Sequence, residues 1–108
     1  MIPEVYKSFI QKIIEKTNDD EAKWEQSTDK AYVLRNKTST IEVGHYIDHD
    51  AEVGYYYFKF YNIKQKTDAG FRVNNLEDDY VIMEKLYSVA AASAANIKDE
   101  LSSFLEDL

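Results

Sequence analysis

The sequence has no cysteine, only one proline and only three glycines among its 108 residues. The lack of cysteine excludes a disulfide framework, a cysteine-ligated zinc or iron–sulfur site and a thiol nucleophile. The glycines, Gly44, Gly54 and Gly70, stand too far apart to form a phosphate-binding loop. No P-loop, dinucleotide-binding, serine-hydrolase or zinc-protease motif is present. We therefore expect no cofactor, and we find no signature of a common enzyme class.

Basic residues are also few, with 13 against 20 acidic residues, which gives a net charge of −7. A chain this acidic is repelled by phosphate backbones and by anionic lipid. Its longest stretch without charge, residues 86–97, is far shorter than the ~20 apolar residues that span a bilayer. The sequence does not open with a basic region followed by an apolar run, as a signal peptide would. We predict a cytoplasmic protein that binds neither nucleic acid nor membranes.

The length and the 44% apolar content fit one folded domain over residues 1–108. The first segment has the period of an amphipathic helix. Pro3 suits its first turn, where the missing N–H is not needed, and residues 17–20 favour its end because their side chains compete for backbone hydrogen bonds. The apolar positions of this helix are Val5, Tyr6, Phe9, Ile10, Ile13 and Ile14.

The middle third of the sequence changes to the two-residue period of strands. No connection within it is long enough for a crossover helix, so we predict an antiparallel meander. The predicted strands are residues 22–26 (with the only tryptophan), 31–35, 40–47, 54–63 and 71–75, and residues 64–70 are predicted to be a polar turn.

The last third is predicted to be helical from Asp78 or Asp79 onward, with an unbroken heptad seam of apolar residues. As one straight helix it would span ~46 Å, against a radius of gyration of ~13 Å for a globule of this size. The helix must therefore break or be covered at its end by another chain. We favour a break near Ala95-Asn96, because Asn96 is a good N-cap and Asp99 follows at the N3 position. The predicted fold class is α+β, in the order α-β-β-β(β)-α, with the N- and C-terminal helices packed on one face of the sheet.

The aromatic segment 55–61 contains four tyrosines and two phenylalanines. In a strand, Tyr56, Phe58 and Phe60 share the core face, and the residues between them face outward. Exposed aromatic surface often marks an interaction site, but cross-strand tyrosine pairs also stabilise a solvated sheet. The sequence leaves both interpretations open. The predicted binding surface consists of Tyr46, Tyr55, Tyr57, Lys59 and Tyr61.

A second candidate surface is the end of the C-terminal seam, a possible contact with a second copy or with a different protein. We predict a protein-binding or homodimerising module that uses one of these two surfaces. The seam residues are Leu101, Phe104, Leu105 and Leu108.

The alternative function is a small-ligand-binding or metal-assisted catalytic domain at residues 45–50, which contain both histidines. His45, Asp48 and His49 are the candidate ligands, because imidazole and carboxylate groups bind divalent metals. Their spacing fits no standard metal site, and Asp48 and Asp50 also suit a plain turn. Other runs of carboxylates lie at predicted helix ends, where solvation and capping explain them. We therefore assign no catalytic residue and do not expect an enzyme.

One pattern runs along most of the chain. Its parts, in order, are a first helix, Trp24, strands with Ile41 and Val43, a tyrosine-rich strand, Asp79-Tyr80 and Leu86-Tyr87. It resembles small bacterial α-β-β-β-α proteins of unknown function, which implies the same α+β fold. The acidity and size are also similar to those of immunity or antitoxin proteins and of acidic secretion chaperones, which implies a protein partner. These resemblances contain no catalytic motif, so no functional residue is carried over.

Overall fold

Helices form the two ends of the chain and a sheet forms its middle, as the change in apolar period predicts. The computed structural model describes all 108 residues. The predicted α+β class is confirmed. The elements are α1 (Glu4–Asn18), β1 (Glu25–Thr28), β2 (Ala31–Arg35), β3 (Ser39–Asp48), β4 (Val53–Asn62), β5 (Thr67–Asn74), α2 (Tyr80–Ala94) and α3 (Ile97–Glu106).

The five strands form one antiparallel sheet in sequence order, which confirms the predicted meander. The two longest strands, β3 and β4, are paired along their whole length, so that Val43 lies opposite Phe58 and Tyr46 lies opposite Tyr55. Residues directly opposite each other in an antiparallel pair point to the same face. The register therefore separates an apolar face of the sheet from a tyrosine-rich one.

Two strand boundaries differ from the prediction. β1 covers Glu25–Thr28 instead of residues 22–26, because Trp24 is buried in the core before the strand begins. β5 begins at Thr67 instead of residue 71. Its polar first half pairs with the end of β4 at the edge of the sheet, where the polar side chains face water. Polar composition alone had indicated a turn there.

The core lies between the apolar face of the sheet and the two long helices, as predicted. Phe58 in β4 is 1% exposed, and its ring centre lies 5.4 Å from that of Tyr6 in α1. On the same face, Tyr56 packs against Tyr80 and Tyr87 of α2. The face carrying Tyr55 and Tyr57 is not covered by either helix.

Helices α1 and α2 run side by side in the same direction. Before α1, the Ile2 N–H donates to the Asp79 carboxylate at the start of α2 over 2.7 Å. Beyond the other end, Lys98 pairs with Asp20 at 3.0 Å. Ile2 itself is 1% exposed, a core residue that the helical pattern missed because it precedes the helix. α2 crosses all five strands, so the helices are stacked along the strand direction.

The C-terminal helix breaks at the predicted place, but for a different reason. Asn96 has a φ of 55° and its side chain makes no capping hydrogen bond, so the predicted capping box with Asp99 is wrong. The Asn96 N–H instead donates to Ser93 O over 3.0 Å and closes the last turn of α2. Asparagine tolerates left-handed backbone better than most residues, which allows this break without a glycine.

Helix α3 leaves the globule after this break. None of its residues is buried, and among the helices and strands it contacts only α2. The radius of gyration is 15.0 Å, above the ~13 Å of a compact globule of this length. No helix in the chain combines the length and apolar character needed to cross a membrane.

Candidate functional site

The five residues of the first predicted surface lie together on the sheet face that the helices leave open. We call this the tyrosine face: Tyr46, Tyr55, Tyr57, Lys59 and Tyr61. The Tyr46 and Tyr55 rings are stacked across the β3–β4 pair, with centres 5.1 Å apart and an angle of 18° between their planes. Arg72 of β5 lies 4.4 Å from the centre of the Tyr55 ring and donates to the Tyr46 hydroxyl over 2.7 Å. The sequence reading missed Arg72, although its position in the alternation of β5 was a usable signal.

Tyr57 folds flat across the neighbouring strand. Its ring occupies the space over Gly44 where any side chain would lie, and its hydroxyl donates to the Glu42 carboxylate. Burial, and then the hydrogen bond to Glu42 and its charge, raise the pKa of the Tyr57 hydroxyl far above its ordinary value. The hydroxyl therefore stays protonated and remains a donor. Lys59 lies over the same ring, 5.2 Å from its centre.

The tyrosine face is close to neutral in an otherwise acidic chain. By register it carries three basic residues, Arg35, Lys59 and Arg72, and four acidic residues, Glu25, Glu42, Asp48 and Asp68, a net charge of −1. An open depression of about 670 Å³ lies between β4 and β5, lined by Tyr46, Tyr57, Lys59, Asp68 and Arg72 among others. The polar ends of Tyr46 and Tyr57 already have partners within the face. Cross-strand pairing, one of the two interpretations left open by the sequence, is thus present.

The three candidate metal ligands do not come together. The His45 ring packs on the core side, 4.8 Å from the ring centre of Tyr56. Asp48 accepts the N–H groups of Asp50 and Ala51 within the β3–β4 turn. His49 lies exposed in that turn. No group of three or more histidine, aspartate or glutamate residues is placed to hold a metal ion, and none of the surface depressions is lined by these residues.

His45 should give the chain a measurable pH dependence of stability. Burial, and then the charge of Lys30, lower its pKa from the ordinary 6.5. Below that pH, His45 binds a proton more readily in the unfolded chain than in the folded chain. The free energy of unfolding should therefore decrease as the pH falls through 6.5. Urea unfolding of His45→Gln should show a weaker decrease than wild type between about pH 7.5 and about pH 5.5. His49→Gln is the matched control and should behave as wild type. An unchanged pH dependence in His45→Gln would contradict the assignment.

The second predicted surface is the C-terminal seam, and the structure leaves it uncovered. Ile97, Leu101, Phe104 and Leu105 fall within a sector of α3 about 100° wide, at about 100° per residue. Leu108 lies two residues beyond the end of the helix. The exposed fractions are 62% for Leu101, 65% for Phe104, 69% for Leu105 and 88% for Leu108.

Comparison with known protein families, curated proteins and solved structures finds no match for this chain. Function therefore has to be inferred from the two surfaces themselves.

Proposed function

We propose that this chain is a cytoplasmic protein-binding module, and that the apolar seam of α3 is its binding element. The observation that carries the proposal is the exposure of Leu101, Phe104 and Leu105 on one side of a short helix, with the exposed Leu108 two residues beyond its end. Burying such a side chain contributes about 1.5–3 kcal/mol. A contiguous apolar stripe of this kind is typical of an interface rather than of a solvated surface.

The length of α3 supports the same conclusion. It has 10 residues, and isolated helices shorter than ~12–15 residues are marginal in water. Most helical stability in proteins comes from packing an apolar face. Within this chain α3 packs only against the end of α2, so the seam lacks that support. Contact with another protein would supply it.

The tyrosine face is the second candidate for the binding surface. Its net charge of only −1, in a chain of −7, and its open depression favour docking of a protein there. Its aromatic side chains, however, already have partners within the face, since Tyr46 stacks on Tyr55 and the Tyr57 hydroxyl donates to Glu42. The seam residues have no such partners, so the seam is the first candidate for the binding surface.

The test compares a seam variant with a face variant. Leu101→Gln with Leu105→Gln keeps good helix formers in α3 and removes its apolar stripe. Association should weaken at least about a hundredfold, since each side chain contributes about 1.5–3 kcal/mol and 1.4 kcal/mol is tenfold. Tyr55→Ala with Tyr57→Ala should leave association intact. The measurements are solution mass by light scattering over a tenfold concentration range and, for a monomeric wild type, quantitative co-purification of identified proteins.

The two variants separate the candidate surfaces. Loss of association in the face variant alone, with a native circular dichroism spectrum, would assign binding to the tyrosine face instead. Undiminished association of the seam variant would show that the seam is not the binding element.

A further inference from the structure

We infer that the partner of α3 is a second copy of this chain, and that each α3 lies in a groove beside α1 of the other copy. The inference rests on the proposed binding role of the seam and adds the receiving surface. That surface, the α1 groove, is lined by Val5, Phe9 and Ile13 of α1 and by Leu34 and Phe60 of the sheet. It consists of two depressions of about 470 and about 290 Å³ that share Phe9 and Phe60.

The groove exists because α1 and α2 together do not cover the whole apolar face of the sheet. The strands β3 and β4 have 10 residues each, about 33 Å at about 3.3 Å per residue. The helices are stacked along that direction, and neighbouring helices lie about 8–10 Å apart. Along the strand direction, α2 packs over Tyr56 and α1 packs over Phe58. In the next row along the strands, Ile41 is 7% exposed, but Leu34 and Phe60 on either side of it are only half-buried, which leaves apolar surface for one more helix.

The dimensions of α3 match this space. Its 10 residues are about 15 Å long at 1.5 Å per residue. The groove follows α1 from Val5 to Ile13, which is about 12 Å on the same scale. Val5 is 80% exposed, so the entrance of the groove presents an apolar side chain to the solvent. The apolar stripe of α3 is therefore long enough to cover it.

Charge is also complementary. Residues 97–108 carry one lysine and four acidic residues, a net charge of −3. The groove is lined by three basic residues, Lys16, Lys23 and Arg35, and by one acidic residue, Glu21, and each basic residue is paired only with an exposed acid nearby. Exposed pairs of this kind contribute little and exchange readily. The turns at the same end of the sheet add three further lysines that form no ion pair: Lys37, Lys64 and Lys66.

A second copy fits better than the chain's own α3. Among the helices and strands, α3 contacts only α2, so the groove of its own chain stays uncovered. Lys23 lines both the groove and the depression at the base of α3. The base of α3 and one end of the α1 groove are therefore adjacent. A two-fold axis near Lys23 places each α3 in the groove of the other copy.

The test mixes two defective chains. The seam variant is Leu101→Gln with Leu105→Gln, and the groove variant is Val5→Gln with Phe9→Gln. Wild type should have about twice the 12.6 kDa chain mass, as a closed two-fold pair requires. Each variant alone should be monomeric, and a mixture of the two should form a heterodimer through the one seam and one groove that remain intact. Val81→Gln, the same change at a valine that is 67% exposed on α2, is the matched control and should dimerise as wild type.

A charge variant keeps the inference testable if the groove variant does not fold. Lys37→Glu with Lys64→Glu alters only exposed turn residues. It should weaken the dimer at least about tenfold at low salt, and the difference should shrink at high salt because exposed charges are screened.

The outcomes separate this inference from the proposed function. A monomeric wild type whose seam still holds a different protein would overturn the inference alone. So would a groove variant that dimerises as wild type while the seam variant is monomeric, or a mixture without heterodimer. A seam variant that still dimerises would overturn both.

Discussion

Phe58→Ala should lower the free energy of unfolding by about 3–5 kcal/mol, because truncating a buried phenylalanine loses its transfer free energy and leaves a cavity. Phe58 is 1% exposed at the middle of β4. Its ring centre lies 5.4 Å from that of Tyr6, 6.2 Å from that of Phe9 and 5.3 Å from that of Phe71. These rings come from α1 and β5, and Tyr6 also packs against Phe71 with ring centres 5.0 Å apart, so Phe58 lies within a cluster of aromatic rings.

The matched control is the same substitution on α3. Phe104 is 65% exposed, so Phe104→Ala should change the free energy of unfolding of the monomer by no more than about 0.5 kcal/mol. Both values are measured by urea unfolding at a protein concentration below the dissociation constant for self-association. A cost for Phe58→Ala close to that of Phe104→Ala would contradict the assignment of Phe58 to the core centre. A large cost for Phe104→Ala would mean that α3 is packed more tightly than its exposure indicates.

The division of the sheet into two faces was predictable because it depends only on local alternation. In β4, a period of two places Tyr56 and Phe58 on one side and Tyr55 and Tyr57 on the other, whatever the neighbouring strands do. The same reasoning places Val43 on the core side of β3, and the structure has it 0% exposed. The break in the C-terminal helix was predictable from length, since a straight helix would overhang the globule.

The partners within the tyrosine face were not predictable, because they depend on register and on how long side chains lie across strands. The Tyr57 hydroxyl reaches Glu42 only because Gly44 leaves room for the ring to lie across β3. Arg72 reaches Tyr46 across β4, a contact between strands that are not adjacent. The α1 groove could likewise not be predicted, since it depends on where the two helices lie along the strands. A periodic pattern identifies a buried face but does not say how much of that face is covered.

Trp24→Ala should also lower the free energy of unfolding by about 3–5 kcal/mol, the usual cost of removing a buried tryptophan. Trp24 is 3% exposed and joins the ends of the two long helices. Its indole N–H donates to the Thr17 hydroxyl of α1, and its backbone N–H donates to the Ser93 hydroxyl of α2, each over 3.0 Å. This is the end of the molecule from which α3 leaves. The substitution should therefore loosen the support of α3 as well as the core.

Thr17→Val separates the hydrogen bond of Trp24 from its packing. Valine has nearly the shape of threonine, so this variant keeps the contact but leaves the buried indole N–H without an acceptor, at a cost of about 1–3 kcal/mol. Both variants are followed by far-ultraviolet circular dichroism in urea, because Trp24 is the only tryptophan and its fluorescence is lost in Trp24→Ala. The cost should be larger for Trp24→Ala than for Thr17→Val. Equal costs would mean that the hydrogen bond alone fixes the indole, and a cost below about 1 kcal/mol for Trp24→Ala would contradict its place in the core. The larger of the two losses in free energy of unfolding thus tells whether the packing of Trp24 or its hydrogen bond holds α1 and α2 together where α3 begins.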